Sequence, residues 1–309
     1  MQLSKCSKKC KKGLYNFSEL KYNADIKQNN PTGERKENQI MKKIIALLLA
    51  ALMVAACFAG CGANNDTNAD TPKVITVGYT IYAPMNYLDE TTGELIGFDT
   101  DLAKAVFEGM GYEVMFKEIE WSQKYTDLAS KTIDCIWNGF TCNCADDDGI
   151  QRADKVDFSY NYMENRQVIV AKADAGIATA ADLNGKIASV ESGSAGEGYA
   201  EGFEGLTVDG CLKQTDCLME VLSGAADVAV LDAQLAKSYV GKGDYAGLTI
   251  IEDLSSDVEF YAIGFEKGSE LTAKVNAQLE ALAKDGTIAK LAEKYGVVNT
   301  TITDFSDQK

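Results

Sequence analysis

Residues 99–116 read DTDLAKAVFEGMGYEVMF, and this stretch decides the fold. Its apolar residues first recur at the spacing of one helix face: Leu102, Ala105, Val106 and Met110. Gly111 is a typical helix stop, and residues 112–116 then predict a strand. Because residues 74–78 (VITVG) also predict a strand, the order along the chain is strand, helix, strand. That order predicts parallel strands covered by a helix.

Strand and helix patterns alternate along the rest of the chain, and the series restarts after about residue 166. Further strands are predicted at residues 133–137, 167–171, 186–190 and 228–231. Further helices are predicted at residues 123–130, 195–202, 216–223, 233–239, 271–284 and 288–294. Two such series predict an α/β fold of two lobes, each a mainly parallel sheet flanked by helices.

The charge is distributed unevenly. Residues 1–43 carry 11 of the 30 Lys and Arg, so the remainder has 19 basic and 42 acidic residues and a net charge of −23. A surface this acidic repels nucleic acid, and no nucleic-acid partner is expected. The chain has no histidine, which excludes His-dependent zinc binding and Ser-His or Cys-His hydrolysis. We predict no metal, no cofactor and no catalytic residue for this chain.

A basic start and an uncharged apolar run lie at residues 41–60. Met41, Lys42 and Lys43 precede residues 44–60, which carry no charge. A basic start, an apolar run and small residues before a cysteine are typical of a secretory signal peptide. A membrane span is the alternative, but a run this short and rich in Ala lies at the lower limit for spanning. We therefore predict a signal peptide at residues 41–60.

The run ends in FAGCG (58–62), which resembles a bacterial lipobox with Cys61 as the acylated mature N-terminus. Cys57, after VAA, is a second candidate. Cys61 is preferred because polar residues typical of a flexible tether follow it directly, which makes residues 61–72 a lipid-anchored tether. A lipid there would place the protein on the outer face of the cytoplasmic membrane, or on the periplasmic side.

Residues 1–40 precede the predicted signal peptide and fit no part of it. A secretory signal begins at the N-terminus of a precursor. We therefore predict that translation starts at Met41 and that residues 1–40 are a non-native upstream extension.

Four groups of residues follow predicted strands at their carboxyl ends: residues 81–84 (IYAP), 138–141 (NGFT), 192–195 (SGSA) and Asp232. Ligands of open α/β sheets bind outside the carboxyl ends of the strands. The shared position of these segments therefore predicts a ligand site.

Seven segments, in this order, resemble the polar amino-acid-binding family of ABC-importer solute-binding proteins. They are VG with YAPM (77–85), GELIGFDTDLA (93–103), IDCIWNGFT (133–141), VDFS (156–159), LNGK (183–186), ADVAVLD (226–232) and KDGT with KYG (284–296). The resemblance implies a type II periplasmic-binding-protein clamshell that closes on a free amino acid. It implies lobe 1 at residues 73–165 and 263–309, lobe 2 at residues 166–262, and a hinge near residues 165–167 and 259–264.

The resemblance assigns the ligand α-carboxylate to Arg152, six residues before Phe158. A guanidinium suits this role because it is planar, always charged and bidentate. The backbone N–H of Ser194, at a predicted helix start, would add a donor. Without the family context, a lone arginine in a polar loop is more often a solvated surface residue.

Asp232 matches the family's carboxylate for the α-ammonium group, although an Asp after a strand is often only a helix N-cap. The carbonyl of Gly139 and Thr141, both in the NGFT segment, are the further expected partners of the ammonium group, and Asn138 of the same segment is also predicted to bind the ligand. Tyr82 and Trp121 match the aromatic pair that sandwiches the ligand side chain, and singly each would more often be core.

Glu191 matches a position that often meets the ligand side chain. An acidic residue there favours a cationic or second ammonium group, as in arginine, lysine or cystine. The equally weighted alternative is that Glu191 only faces solvent.

Residues 142–151 depart from the family pattern. The family has about four residues between the threonine that matches Thr141 and the arginine, whereas ten intervene here. The excess is expected either to displace Arg152 or to reshape that rim of the cleft. It also adds Cys142 and Cys144, which are too close in sequence for an unstrained disulfide. Cys211 and Cys217 can close a short loop, since export permits disulfides, and these pairings stay open.

The predicted function is capture of a polar or cationic free amino acid outside the membrane. The resemblance implies delivery to an ABC permease and ATPase by a monomeric binding protein that is not an enzyme and is held by its N-terminal lipid. Two alternatives remain: a dehydratase-like enzyme on the same scaffold, for which Glu191 would be the general acid, and a ligand-sensing module for a membrane partner.

Overall fold

The computed structural model describes residues 73–308. The predicted upstream extension, signal peptide and tether (residues 1–72), with both candidate lipidation sites Cys57 and Cys61, lie outside the described residues. Within the described part of the chain, no helix is both long enough and apolar enough to cross a membrane.

The described chain alternates strands and helices, as the sequence predicts. In chain order the strands are β1 (Lys73–Tyr79), β2 (Tyr87–Leu88), β3 (Leu95–Ile96), β4 (Tyr112–Glu118), β5 (Cys135–Ile136), β6 (Asp157–Phe158), β7 (Met163–Asn165), β8 (Gln167–Lys172), β9 (Ile187–Glu191), β10 (Thr207–Cys211), β11 (Val228–Asp232), β12 (Leu248–Ile251), β13 (Glu259–Tyr261) and β14 (Gly264–Phe265). The α-helices are α1 (Phe98–Gly109), α2 (Lys124–Ala129), α3 (Arg152–Lys155), α4 (Ala195–Glu201), α5 (Gln214–Ser223), α6 (Ala233–Tyr239), α7 (Glu270–Lys284) and α8 (Thr287–Tyr295).

These elements form two lobes, each built on a five-stranded sheet. The first sheet has the order β4-β1-β5-β14-β6 and the second has the order β10-β9-β11-β8-β12. In each sheet two strand pairings are parallel and two are antiparallel. The prediction of mainly parallel sheets is therefore corrected to mixed sheets.

β8 and β14 run antiparallel to their neighbours because the chain enters both strands from the other lobe. β8 starts opposite the end of β11, with Gln167 paired to Asp232. β14 likewise starts opposite the end of β5, with Gly264 paired to Ile136. A strand that begins beside the end of its neighbour must run in the opposite direction to that neighbour. Between the sheets, β7 and β13 form a two-stranded antiparallel ladder that leads into β8 and β14.

Helix α1 shows how the sequence positions the first sheet. Phe98, Leu102, Val106 and Phe107 are completely buried, whereas Ala105 and Met110 of the predicted apolar face are only partly buried. The ring of Phe107 meets that of Trp137, just beyond β5, with centroids 5.9 Å apart. Truncating one such side chain to alanine typically costs about 2–5 kcal/mol of stability. The packing fixes the carboxyl end of β5, where the NGFT segment begins.

Candidate functional site

A small cavity lies between the two lobes, at the carboxyl ends of β5, β9 and β11. The first lobe contributes Trp121, Asn138, Gly139, Thr141 and Arg152 to its lining, and the second contributes Glu191, Ser194, Ala195, Gln214 and Asp232. Eight of the nine residues predicted to bind a ligand are therefore brought together here. Glu191 and Asp232 are the last residues of β9 and β11, as expected for a site in an α/β fold.

Arg152 is buried at the start of α3, with only 1% of its surface exposed. Its Nη1 donates to the carbonyl of Thr141 at 3.1 Å, and its Nη2 donates to the carbonyl of Gly193, in the other lobe, at 3.1 Å. The guanidinium also lies 5.2 Å from the ring centroid of Phe140. These contacts hold a cation at the cavity wall, where a carboxylate can reach its remaining donors.

The ten-residue segment 142–151 leaves Arg152 at the cavity and provides its anionic partner. Nε of Arg152 donates to Oδ1 of Asp146 at 2.7 Å. Burial opposes ionisation of Asp146, but Arg152 and hydrogen bonds from Lys155 and Tyr125 lower its pKa to about 2. The carboxylate therefore stays charged at neutral pH and orients the guanidinium through a charge-assisted bond.

Asp232 accepts hydrogen bonds from three buried amide side chains. Its Oδ1 accepts from Asn165 Nδ2 at 2.6 Å and from Gln167 Nε2 at 2.7 Å. Its Oδ2 accepts from Gln214 Nε2, and its backbone N–H donates to Gln214 Oε1 at 2.9 Å. This arrangement is a built acceptor site rather than a helix cap, because the Asp232 side chain makes no cap bond to α6.

Glu191 points into the same cavity, buried and incompletely bonded. It is 3% exposed, and its Oε1 has no hydrogen-bond partner. Burial, together with the nearby carboxylate of Asp232, raises the pKa of Glu191 to about 8. The alternative in which Glu191 only faces solvent is therefore wrong. A buried acceptor without a partner is costly, so a donor from a ligand would be favoured here.

Trp121 lines the cavity on the first-lobe side, and Lys124 packs against it. The Trp121 ring meets that of Phe140 edge-on, with centroids 5.3 Å apart, and the ammonium of Lys124 lies 5.1 Å from the Trp121 ring. Lys124 is 2% exposed and donates to the carbonyl of Gly193 at 2.9 Å, which is a second contact between the lobes. Burial, and then repulsion from Arg152, lowers the pKa of Lys124 to about 8.

Tyr82 is the one predicted ligand residue that does not line the cavity. It is 2% exposed, and its hydroxyl lies 2.6 Å from that of Tyr261. Its ring lies behind Gly139, where an added Cβ would come within 2.7 Å of it. Gly139 also has a φ of +55°, so a side chain there would be both crowded and strained. In this structure Tyr82 therefore packs behind the cavity wall.

Two further predicted residues act differently from expectation. The N–H of Ser194 donates to the carbonyl of Glu191 at 3.0 Å, and the Ser194 hydroxyl caps α4 by accepting from Glu197 N at 3.1 Å. The first helical N–H, which has no acceptor within its own helix, is that of the cavity residue Ala195. The side-chain amide of Asn138 is occupied by Thr80 and Asn86, so Asn138 supports the wall through buried bonds.

The functional residues that sequence reasoning missed are mostly buried amides. Gln214 lines the cavity. Asn165 and Gln167 each donate to both Asp232 and Glu259, and the bond from Gln167 Nε2 to Glu259 Oε1 is 2.7 Å long. Amides of this kind carry no sequence signal, since nothing in their spacing shows which carboxylate they reach. Glu259 is a carboxylate of the predicted hinge, and the sequence motifs do not connect it with the site.

We expect the stability of the empty protein to fall as pH rises from 5 to 7.5. Burial raises the pKa of Glu191 to about 8 and those of Glu259 and Asp99 to about 7, so the folded state holds protons that the unfolded state releases near pH 4. The stabilisation is complete below the unfolded values and is lost as pH rises through the folded ones.

Denaturant titration should show the free energy of unfolding falling over this interval by about 3 kcal/mol from Glu191 alone, with Glu259 and Asp99 adding to the fall. The range ends at 7.5 because Lys124, whose lowered pKa is about 8, acts in the opposite direction above that value. The Glu191→Gln variant should show a shallower decrease. A stability that is constant or rises with pH would contradict the assignment.

Comparison with known proteins identifies relatives of this chain. The model of the bacterial extracellular solute-binding proteins, family 3, matches residues 75–298. The chain is similar to the arginine-binding extracellular protein ArtP of Bacillus subtilis, with 31% identity over 217 residues, 69% of this chain and 82% of that protein. It is also similar to the L-cystine-binding protein TcyA of the same organism, with 30% identity over 227 residues, 72% of this chain and 81% of that protein.

Among solved structures, the chain resembles an ancestral arginine-binding protein bound to arginine. The TM-score is 0.65 at 34% identity, over 72% of this chain and 97% of that chain.

Proposed function

Because this chain belongs to family 3 of the bacterial extracellular solute-binding proteins, we propose that it captures a polar or cationic free amino acid for an ABC importer. The observation that carries the proposal is the pairing of Arg152 and Asp232 in one cavity, each supplied by a different lobe. A zwitterion presents one carboxylate and one ammonium, and this pair offers one partner for each. The family is one of solute-binding proteins, so the chain is a binding protein and not an enzyme.

The proposed ligand lies with its α-carboxylate on Arg152 and the N–H of Ala195, and with its α-ammonium on Asp232 and the carbonyl of Gly139. Micromolar affinity requires about −8 kcal/mol. Charge-assisted bonds at both ends, each about 1.5–3 kcal/mol, together with burial of the side chain, can supply it.

The side chain of the ligand is proposed to extend between Trp121 and Glu191. The unpartnered Oε1 of Glu191 favours a ligand that carries a second cationic group. The relatives described above are named for arginine and for cystine, and both of these amino acids meet that requirement.

We propose that the lobes, at residues 73–165 with 263–309 and at residues 166–262, close about a hinge near residues 165–167 and 259–264. Away from the hinge, the contacts between the lobes include those of Arg152 and Lys124 with the Gly193 carbonyl, and the ion pair of Lys213 with Glu118 at 2.6 Å. Opening would break all three contacts, so ligand binding would favour the closed form that a permease partner recognises.

The test is a thermal-shift screen of the twenty amino acids with cystine and ornithine, followed by calorimetry. A ligand at about 1,000 times its Kd adds about 4 kcal/mol of stability, which raises the unfolding midpoint by about 8–16 °C for a domain of this size. Arginine, lysine, ornithine or cystine should give the largest shift, and Glu191→Gln should lose that preference while retaining glutamine binding. A screen without any response would contradict the proposal.

We also propose that the mature protein is anchored by a lipid at Cys61, on the outer face of the cytoplasmic membrane. In a bacterial host, wild-type protein should sediment with membranes and incorporate labelled palmitate, because diacyl anchoring holds a protein stably. Cys61→Ser should move it to the soluble fraction, whereas Cys57→Ser, the matched control, should leave it on the membrane. The reverse pattern would assign the anchor to Cys57.

A further inference from the structure

Cys211 and Cys217 lie at the two ends of a short loop beside the ligand cavity. Cys211 ends β10, and Cys217 lies in the first turn of α5. Their Sγ atoms are 2.8 Å apart, and both thiols are in the free form. The two sulfurs are therefore already in direct contact, and only a short approach separates them from bonding distance.

The other described cysteines lack such a partner. Cys142 Sγ donates to Asn161 Oδ1 at 3.1 Å, Cys144 Sγ lies 4.0 Å from the carbonyl of Thr141, and Cys135 is completely buried. The contact of Cys211 with Cys217 therefore distinguishes this pair among residues 73–308.

The two thiols of the pair differ in reactivity. Cys211 is partly exposed, whereas Cys217 is fully buried. The hydrogen bond from Cys217 lowers the pKa of Cys211, and the same bond together with burial raises the pKa of Cys217. The accessible thiol is thus the one that ionises first, and the thiolate is the nucleophile in disulfide exchange.

We propose that Cys211 and Cys217 form a reversible disulfide in the exported protein, closing the loop at residues 212–216. Members of this family act outside the cytoplasm, where disulfides form and persist. The oxidant is a disulfide, either a small molecule or an exchange protein.

The reaction proceeds in two balanced steps. The Cys211 thiolate attacks one sulfur of the external disulfide, which breaks its S–S bond and releases one thiolate. Cys217 then loses its proton and attacks Sγ of Cys211, releasing the second thiolate. The two protein thiols lose two electrons and two protons in total, and the external disulfide becomes two thiols.

The closed loop carries two residues that link it to the cavity and to the other lobe. Gln214 holds Asp232 by accepting from its N–H at 2.9 Å and donating to its carboxylate. Lys213 bridges to Glu118 of the first lobe at 2.6 Å. The disulfide would therefore fix the segment that builds the Asp232 acceptor site and forms one of the interlobe contacts.

Peptide mapping tests the disulfide itself. Trypsin cleaves after Lys213, which places Cys211 in residues 187–213 and Cys217 in residues 214–237. The full exported chain is incubated with oxidised glutathione, denatured with iodoacetamide and digested without reductant. We expect the two peptides to be joined and to separate on reduction, with Cys142 and Cys144 alkylated. Complete alkylation of Cys211 and Cys217 would overturn the proposal.

Single variants test the order of attack. Cys217→Ser should retain glutathione on Cys211, because the resolving thiol is absent, whereas Cys211→Ser should leave the buried Cys217 unmodified. Glutathione on Cys217 instead would overturn the assignment of Cys211 as the nucleophile. Reduction should also lower the unfolding midpoint of the wild type by about 5 °C, from the chain entropy of so short a loop. The double variant Cys211→Ser/Cys217→Ser should show no such change, and an equal change in both would count against the disulfide.

Discussion

Replacing Arg152 with alanine is expected to weaken amino-acid binding by about 2–5 kcal/mol, because the carboxylate of the ligand is then buried without a cation. Arg152 is the buried guanidinium of the cavity and is 1% exposed. Its partners, the carbonyls of Thr141 and Gly193 and the carboxylate of Asp146, hold it in one orientation. Calorimetry with the best ligand of the screen measures the loss directly.

Two comparisons separate this role from general effects. Arg152→Lys keeps the charge but loses the bidentate fork, so its affinity should lie between those of the wild type and the alanine variant. Lys290→Ala removes an exposed cation from α8 and should bind like the wild type. The decarboxylated analogue of the ligand should bind wild type and Arg152→Ala almost equally. If Arg152→Ala keeps full affinity for the amino acid, the carboxylate is held elsewhere and the proposed orientation is wrong.

The loss of affinity caused by Arg152→Ala must be compared with the effect of the same variant on stability. This control is needed because Asp146 loses its principal partner. Asp146 keeps hydrogen bonds from Lys155 and Tyr125 in the variant, so it is not left wholly unpaired. Asp146→Asn is informative for the same reason. It leaves the guanidinium at the cavity but removes the charge that orients it, so its affinity should fall by less than that of Arg152→Ala.

The elements that the sequence predicts well are those whose signal is local. Apolar spacing predicts a helix at residues 99–110 and the structure has Phe98–Gly109, while α6 (Ala233–Tyr239) coincides with its prediction. Strand β10 (TVDGC) was missed because it is largely exposed at the sheet edge and shows no apolar alternation. The strands β6, β7, β13 and β14 are two or three residues long, and distant pairing rather than composition defines them.

The same distinction applies to the candidate site. Arg152, Glu191 and Asp232 could be predicted because each stands at a fixed place relative to the family's motifs. The contact of Tyr82 with Tyr261 joins residues 179 positions apart, and the bond of Gln214 with Asp232 joins elements that only the sheet order brings together. The length of segment 142–151 showed that the rim had changed. It did not show that Asp146 would turn inward to Arg152, because that depends on the free energy of burying an ion pair.

Replacing Asp232 with asparagine is expected to reduce affinity by about 2–4 kcal/mol, since the α-ammonium then loses its charged partner. Three side-chain amides, those of Asn165, Gln167 and Gln214, donate hydrogen bonds to the Asp232 carboxylate. The side chain at this position must therefore accept hydrogen bonds. An asparagine would direct its own N–H₂ toward these donors and so misplace the remaining acceptor. Binding of the ligand is therefore affected twice, through charge and through geometry.

Asp232→Asn should weaken binding without lowering stability. This difference separates an effect on binding from an effect on folding. Burial raises the pKa of Asp232, so the folded protein carries an unfavourable charge there. Removing the charge should leave the unfolding midpoint unchanged or higher at pH 7.5. Asp209→Asn, the same change at an exposed position of β10, should alter neither affinity nor stability. The desamino analogue of the ligand should bind wild type and Asp232→Asn alike, and if the variant still discriminates against that analogue, the ammonium is bound by another group.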